Sequence, residues 1–128
     1  ERMLRGFGYV VRRDNGVIGL DGGGALRAAD IDVPADISSA AFFLVAASIA
    51  PGSDLILTHV GINPTRIGVL NILRLMGADI TLKNEREVCC EPEAYIHVRH
   101  AQLRGIRIPR DQVTLAIDEL PSLIDSAA

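Results

Sequence analysis

The residues able to do chemistry are scattered along the chain. Asp118 and Glu119 stand together in Ile117-Asp118-Glu119-Leu120-Pro121. A positioned carboxylate can take a proton from a reacting hydroxyl, but an Asp just ahead of an apolar stretch reads first as a helix cap. Asp36 and the pair Ser38-Ser39 fall at another helix start, where capping is again the favoured reading. The alternative for the serines is phosphate binding at the helix N-terminus. Arg66 lies in the predicted first turn of a third helix, where a cation opposes the dipole. That placement points to a purpose, with a solvated Arg or an ion pair favoured over a substrate clamp. His59, His97 and His100 sit on strands with no partner at catalytic spacing and read as structural or exposed. Cys89 and Cys90 are adjacent and are the only cysteines. Neighbouring cysteines rarely bridge each other without strain, so two free thiols and a reducing cytoplasm are expected. A metal would need more ligands than this pair. Gly22-Gly23-Gly24 lacks the Lys-Ser/Thr and the spacing of a phosphate loop and reads as a flexible surface connection.

The elements that must hold these residues follow from local signals. Ile31 to Val33 reads as a short strand stopped by Pro34. The helix after Asp36 carries AAFFLVAASIA, apolar on every face, which predicts burial between layers. It is shorter than the ~20 apolar residues a bilayer requires. Pro51-Gly52 ends it, and Asp54 to Val60 reads as a strand. Asn63 as cap, Pro64 at the first helical position and Gly77 just past the end delimit the next helix. Val69, Ile72, Leu73, Leu75 and Met76 cluster on one face, against Arg66, Asn71 and Arg74 on the other. Ile80 and Leu82 alternate with polar residues as a strand. Residues 84–93 read as a loop in a hairpin, Ala94 to Arg99 as a strand, and Leu103 to Ile108 as a strand stopped by Pro109. At the front, the end of a helix over Glu1 to Gly6 precedes a hairpin. Tyr9 to Arg13 and Val17 to Leu20 flank Asp14-Asn15-Gly16, a sequence that tolerates the positive φ of a tight turn.

From Ile31 to about His100 the order is therefore strand-helix-strand-helix-strand-strand, and its parts recur on either side. Ile31-Asp-Val-Pro34 is faintly echoed by Ile106-Arg-Ile-Pro109. Crossover helices imply parallel pairing, with an antiparallel strand pair at the edge. The class is α/β. The 128 residues are 48% hydrophobic, with 13 basic and 16 acidic residues for a net charge of −3. With no basic run or basic-aromatic interleaving, no nucleic-acid partner is expected. No signal peptide or membrane span is read, so no membrane partner is expected either. The chain opens at Glu1-Arg2-Met3 and closes at Ser126-Ala127-Ala128 as if in mid-helix, and reads as a piece of a longer polypeptide.

Four stretches together resemble the 5-enolpyruvylshikimate-3-phosphate synthase (3-phosphoshikimate 1-carboxyvinyltransferase) family. They are VPADISSAAFFLVAASIAPGSDL (33–55), VGINPTRIGVLNILRLMGADI (60–80), LRGIRIP (103–109) and AIDELP (116–121). The resemblance covers nearly the whole chain. It departs at Ala35, where the family usually has Gly, and at Cys89-Cys90, where relatives carry small residues such as Gly. It implies the enolpyruvyl transferase fold, an inside-out α/β barrel built from repeated βαβαββ units, here one complete unit with parts of two others. Residues 1–29 (helix and hairpin) would end one domain and residues 30–128 would form part of the second. A hinge would lie near Ala29 to Pro34.

The resemblance further implies transfer of the enolpyruvyl group of phosphoenolpyruvate to the 5-hydroxyl of shikimate 3-phosphate. Phosphate is released through a tetrahedral intermediate, without metal or organic cofactor. Such chemistry needs cationic clamps on two anions and a carboxylate to manage protons. By resemblance Asp118 is the catalytic aspartate. It accepts the hydroxyl proton and helps hold the shikimate ring. Asp36, near the interdomain cleft, and Arg66 are further substrate-binding candidates, read from their positions at helix starts and not from the family's motifs. The family's Lys-Ser phosphate loop, its Asn-Ala-Gly-Thr motif and its acid-Arg-Lys stretch are not in this sequence. The rest of the polypeptide is therefore an expected partner, and the isolated chain is expected to be inactive. Two rivals stay open: an enolpyruvyl transferase acting on UDP-N-acetylglucosamine, and a non-catalytic α/β binding module.

Overall fold

The computed structural model describes residues 1–125; the helical reading of Ser126 to Ala128 lies outside them. A five-residue helix, α1 (Arg2–Gly6), leads into an isolated antiparallel hairpin of β1 (Val11–Asp14) and β2 (Val17–Leu20). Its turn is the expected one: Asn15 and Gly16 have φ of 44° and 82°, matching the right-handed twist of the strands it joins.

The strand expected at Ile31 to Val33 does not form. Parallel pairing comes later and is a single bridge, Ala35 opposite Val60. The Ala35 N–H donates to the His59 carbonyl at 2.8 Å, and the Gly61 N–H donates to the Ala35 carbonyl at 2.9 Å. Pro34 has no N–H to extend this ladder backwards. The connecting segment is held mainly by side chains instead. His59 Nε2 lies 3.0 Å from Asp32 Oδ1 and 3.1 Å from the Val33 carbonyl, and its Nδ1 meets the buried Glu93 carboxylate. Glu93 also accepts from Arg86, whose pKa it raises above the ordinary guanidinium value.

Helix α2 (Ile37–Ile49), strand β3 (Asp54–Gly61), helix α3 (Gly68–Leu75) and strands β4 (Asp79–Val88) and β5 (Glu91–Arg99) form the main unit. The sheet order is β3-β5-β4, all neighbours antiparallel. This corrects the expected parallel pairing. The β3-α3-β4 crossover does leave β3 and β4 parallel to one another, but β5 inserts between them. It can do so because its inward residues Ala94, Ile96 and Val98, all fully buried, match apolar partners on both sides: Leu55 and Ile80 across from Val98, Leu57 and Leu82 across from Ile96.

The segment expected to loop out over residues 84–93 is mostly strand. Only Cys89 and Cys90 turn, with φ of 48° and 66°. The extra residue that hid this pairing is a bulge between Lys83 and Arg86, where Asn84 has φ of 52°. Small residues at the cysteine positions would suit that left-handed turn. Leu103 to Ile108 makes no strand either. Leu103, Ile106 and Ile108 pack against the core outside any ladder, and the Arg104 N–H donates to the Met76 carbonyl at 2.9 Å.

Helices α2 and α3 cover one face of the sheet. Leu44, Leu70, Ile72, Leu73 and Val69 are wholly buried there. Leu75, expected on the apolar face of α3, is 45% exposed at its end. Helix α2 is not sandwiched between layers in this chain. Phe42, Phe43 and Ile49 line a bare apolar stripe, the phenylalanines at 66% and 60% exposure. The last described elements are a short helix, α4 (Arg110–Val113), a 3-10 turn (Ile117–Glu119) and α5 (Leu120–Asp125).

Candidate functional site

Three separate segments bring the sequence-predicted residues together. The first is the start of α2. Asp36 is its cap, as expected: Oδ2 accepts from the Ser39 N–H at 3.0 Å and from the Ser39 hydroxyl at 3.1 Å. The Ser39 N–H holds the Asp36 carboxyl below its ordinary range; burial opposes it, and the Ser39 hydroxyl, the Ser38 N–H and the nearby Arg66 charge add smaller effects in the lowering direction. A carboxylate at a helix N-terminus is also favoured by the dipole.

The second segment is the turn before α3. Here the structure corrects the expected helix start. The helix begins at Gly68, and Asn63 caps a turn, its Oδ1 accepting from the Thr65 N–H (3.1 Å) and hydroxyl (2.9 Å). Arg66 therefore lies in this turn and not in the first helical turn, and its guanidinium reaches across to α2. Its Nη2 donates to Ser38 Oγ at 2.9 Å and lies 3.9 Å from Asp36 and 3.7 Å from Asp118.

The third segment is the 3-10 turn. Its two acids diverge, because a tight turn sends successive side chains to different sides. Asp118 is 68% exposed beside Arg66, whereas Glu119 is 4% exposed and accepts from the Ser38 hydroxyl. Asp118 lies inside this turn, whose N-cap position is Ala116, so it is not the cap of the turn itself. Both serine hydroxyls are committed to protein partners, which favours their reading as helix-start residues.

Sequence reasoning missed Gly68. A Cβ there would stand 2.5 Å from the Leu115 carbonyl carbon and oxygen and 2.7 Å from the Ala116 N. Its bare backbone lets α3 lie directly against the strand of chain that leads to Asp118. A glycine inside an apolar-periodic helix was the available signal. A cleft of about 180 Å³ adjoins the cluster, lined by Pro34, Asp36, Gly61, Asn63, Arg66 and Glu91. A more apolar hollow of about 210 Å³ lies away from it, between Met3, Ala29, Ile31, Val33 and Cys89. The cluster thus sets two exposed carboxylates, Asp36 and Asp118, within 4 Å of one guanidinium, with Asp36 and Arg66 on the cleft wall; either carboxylate is able to take a proton. His97, paired with Asp54 at 2.7 Å, and His100, 3.2 Å from the Ser48 carbonyl, lie apart from it.

Known proteins resemble the chain along its whole length. The family model described as EPSP synthase (3-phosphoshikimate 1-carboxyvinyltransferase) matches residues 1–128. A protein named 3-phosphoshikimate 1-carboxyvinyltransferase from Alkalilimnicola ehrlichii is 63% identical over the whole chain, and one of the same name from Methylococcus capsulatus is 60% identical. An EPSP synthase structure from Acinetobacter baumannii superposes with a TM-score of 0.96 at 55% identity, covering 99% of this chain and 29% of that one. The chain spans 29% of the length of the two curated relatives as well.

Proposed function

This chain belongs to the EPSP synthase family, and on that premise we propose that it is part of an enzyme that moves the enolpyruvyl group of phosphoenolpyruvate to the 5-hydroxyl of shikimate 3-phosphate. The observation that carries the reading is the convergence of Asp118, Arg66 and Asp36 from three distant segments. Asp118 accepts the proton of the attacking hydroxyl and helps hold the shikimate ring. Arg66 keeps the Asp118 carboxylate aligned and contributes positive charge at the cleft, and Asp36 borders the same cleft. Phosphate departs from the tetrahedral intermediate. The names of the curated relatives support shikimate 3-phosphate over UDP-N-acetylglucosamine, and support an enzyme over a binding module.

Residues 1–29 close one domain and residues 30–128 belong to the second, with the hinge at Ala29 to Pro34. The clasp of Asp32 by His59 fits that role, since it ties the connecting segment to β3. The remainder of the polypeptide supplies most contacts to the two anionic substrates and covers the bare face of α2 at Phe42 and Phe43. The 128-residue chain alone is inactive, because one guanidinium cannot clamp two polyanions. The setting is the cytoplasm, in keeping with two free thiols and with no helix, among the described residues, long and apolar enough to cross a membrane.

The test is phosphate release from phosphoenolpyruvate by the full-length protein, with and without shikimate 3-phosphate, wild type beside Asp118→Ala. Release that needs shikimate 3-phosphate and collapses in the variant is expected. Full activity in Asp118→Ala would remove Asp118 from the chemistry. No release with shikimate 3-phosphate would overturn the substrate assignment.

A further inference from the structure

Glu119 is a buried carboxylate beside an exposed one, and nothing in the reaction proposed above uses it. Burying an ionised acid is costly unless it is hydrogen-bonded. Its partner is the Ser38 hydroxyl, 81 residues away in sequence. That hydroxyl has one proton, which goes to Glu119. Its lone pairs therefore face outward, and one of them accepts from Arg66 at 2.9 Å. Arg66 in turn lies between Asp36 and Asp118. The bonds run in one direction: Arg66 donates to Ser38, and Ser38 donates to Glu119. Glu119 is the chain neighbour of Asp118, so the loop closes on the 3-10 turn itself.

We propose that Ser38 and Glu119 are positioning residues, which fix the Arg66 guanidinium and the 3-10 turn relative to each other so that Asp118 is held at the cleft. This rests on the reading of Asp118 as the proton acceptor. The geometry gives each member a distinct duty. Glu119 orients the Ser38 hydroxyl, and its charge strengthens that bond, since hydrogen bonds to ionised groups are about twice as strong as neutral ones. Ser38 fixes where the guanidinium rests, which otherwise swings on a long, half-exposed stem. The turn is pinned from its buried side by Glu119 and from its exposed side by Arg66. Asp118 itself is 68% exposed, and among the described residues Arg66 is the charged group beside its carboxylate.

The experiment is steady-state kinetics on the full-length enzyme carrying Ser38→Ala, Ser38→Thr or Glu119→Gln, with thermal melting of each variant alongside. Ser38→Ala is expected to lower kcat about 10-fold, well inside the ~100-fold that a 1 Å misplacement can cost, with KM for both substrates within about twofold. Ser38→Thr restores the hydroxyl and is expected to recover most of the rate. Glu119→Gln keeps the shape and an acceptor oxygen but loses the charge, and is expected to fall between wild type and Ser38→Ala. It carries the test by itself if Ser38→Ala does not fold. Wild-type kcat in Ser38→Ala or in Glu119→Gln would overturn the proposal, as would a loss in Ser38→Ala that Thr does not rescue. Failure of the underlying reading looks different: Asp118→Ala itself would then keep its turnover.

Discussion

Replacing Gly68 by Ala should damage activity far more than its chemical modesty suggests. By helix propensity alone the change is favourable by about 1 kcal/mol, since Gly is among the poorest helix formers. The added methyl, however, would sit 2.5 Å from the Leu115 carbonyl carbon and oxygen. Non-bonded carbons rest at about 3.5 Å or more, so something must move by about 1 Å. The obstacle is backbone and has no rotamer into which it can swing. Overpacking of this kind costs about 1–3 kcal/mol, which exceeds the propensity gain and leaves a net loss of up to about 2 kcal/mol. The displaced backbone runs through Ala116 directly into Asp118. A 1 Å shift at a catalytic group can cost about 100-fold in rate. The assay is phosphate release by full-length Gly68→Ala, with urea unfolding for stability. A variant with wild-type turnover would refute the claim that α3 and the 3-10 turn are in rigid backbone contact, whatever its stability.

Further outcomes follow from the same geometry. Cys90→Gly should raise stability by about 0.5–1 kcal/mol, because a left-handed non-glycine residue costs about 1–2 kcal/mol and glycine returns part of that as chain entropy; urea midpoints would show it, and a loss of stability would contradict the observed φ of 66°. Glu93→Gln should cost about 1–3 kcal/mol by weakening the buried partner shared by His59 and Arg86, read from the same unfolding curves. Asp36→Ala should cost about 1 kcal/mol as a lost cap. Because folding lowers the Asp36 pKa, its ionic contribution is present above the unfolded carboxylate value of about 3.9 and fades as pH falls through and below it. The stability gap between wild type and Asp36→Asn should accordingly close in acid, and a gap that widens there would reverse the sign of that coupling.

Much of the chain could be read one element at a time. Asn15-Gly16 fixed its own turn, because the backbone conformation needed there is one that those residues tolerate by themselves. Asp36 as a cap, the apolar face of α3 and the strand at β5 were equally local. The resemblance of the motifs carried the family and, with it, the nomination of Asp118, whereas Asp36 and Arg66 were nominated by their positions at helix starts. What failed in the reading were pairings. The order β3-β5-β4 depends on which strand inserts where, and Ala94, Ile96 and Val98 would suit an edge as well as a centre until both neighbours are known. The β4-β5 hairpin was read, but its strands were cut short at one bulge at Asn84, and the helix start was misplaced by an Asx turn that uses the same residue types as a cap.

The site divides in the same way. Residue type alone marked Asp118 and Glu119 as acids side by side, and only the resemblance singled out Asp118. The physical difference between them is a matter of the fold, which sets Glu119 against Ser38 in the interior and leaves Asp118 outside next to Arg66. That decision is tertiary because the bonds that make it span 81, 28 and 52 residues of sequence. No local propensity carries information over such distances; the sheet and the two helices packed on it bring the ends together, and burial then decides which carboxylate needs a partner and which remains free to act.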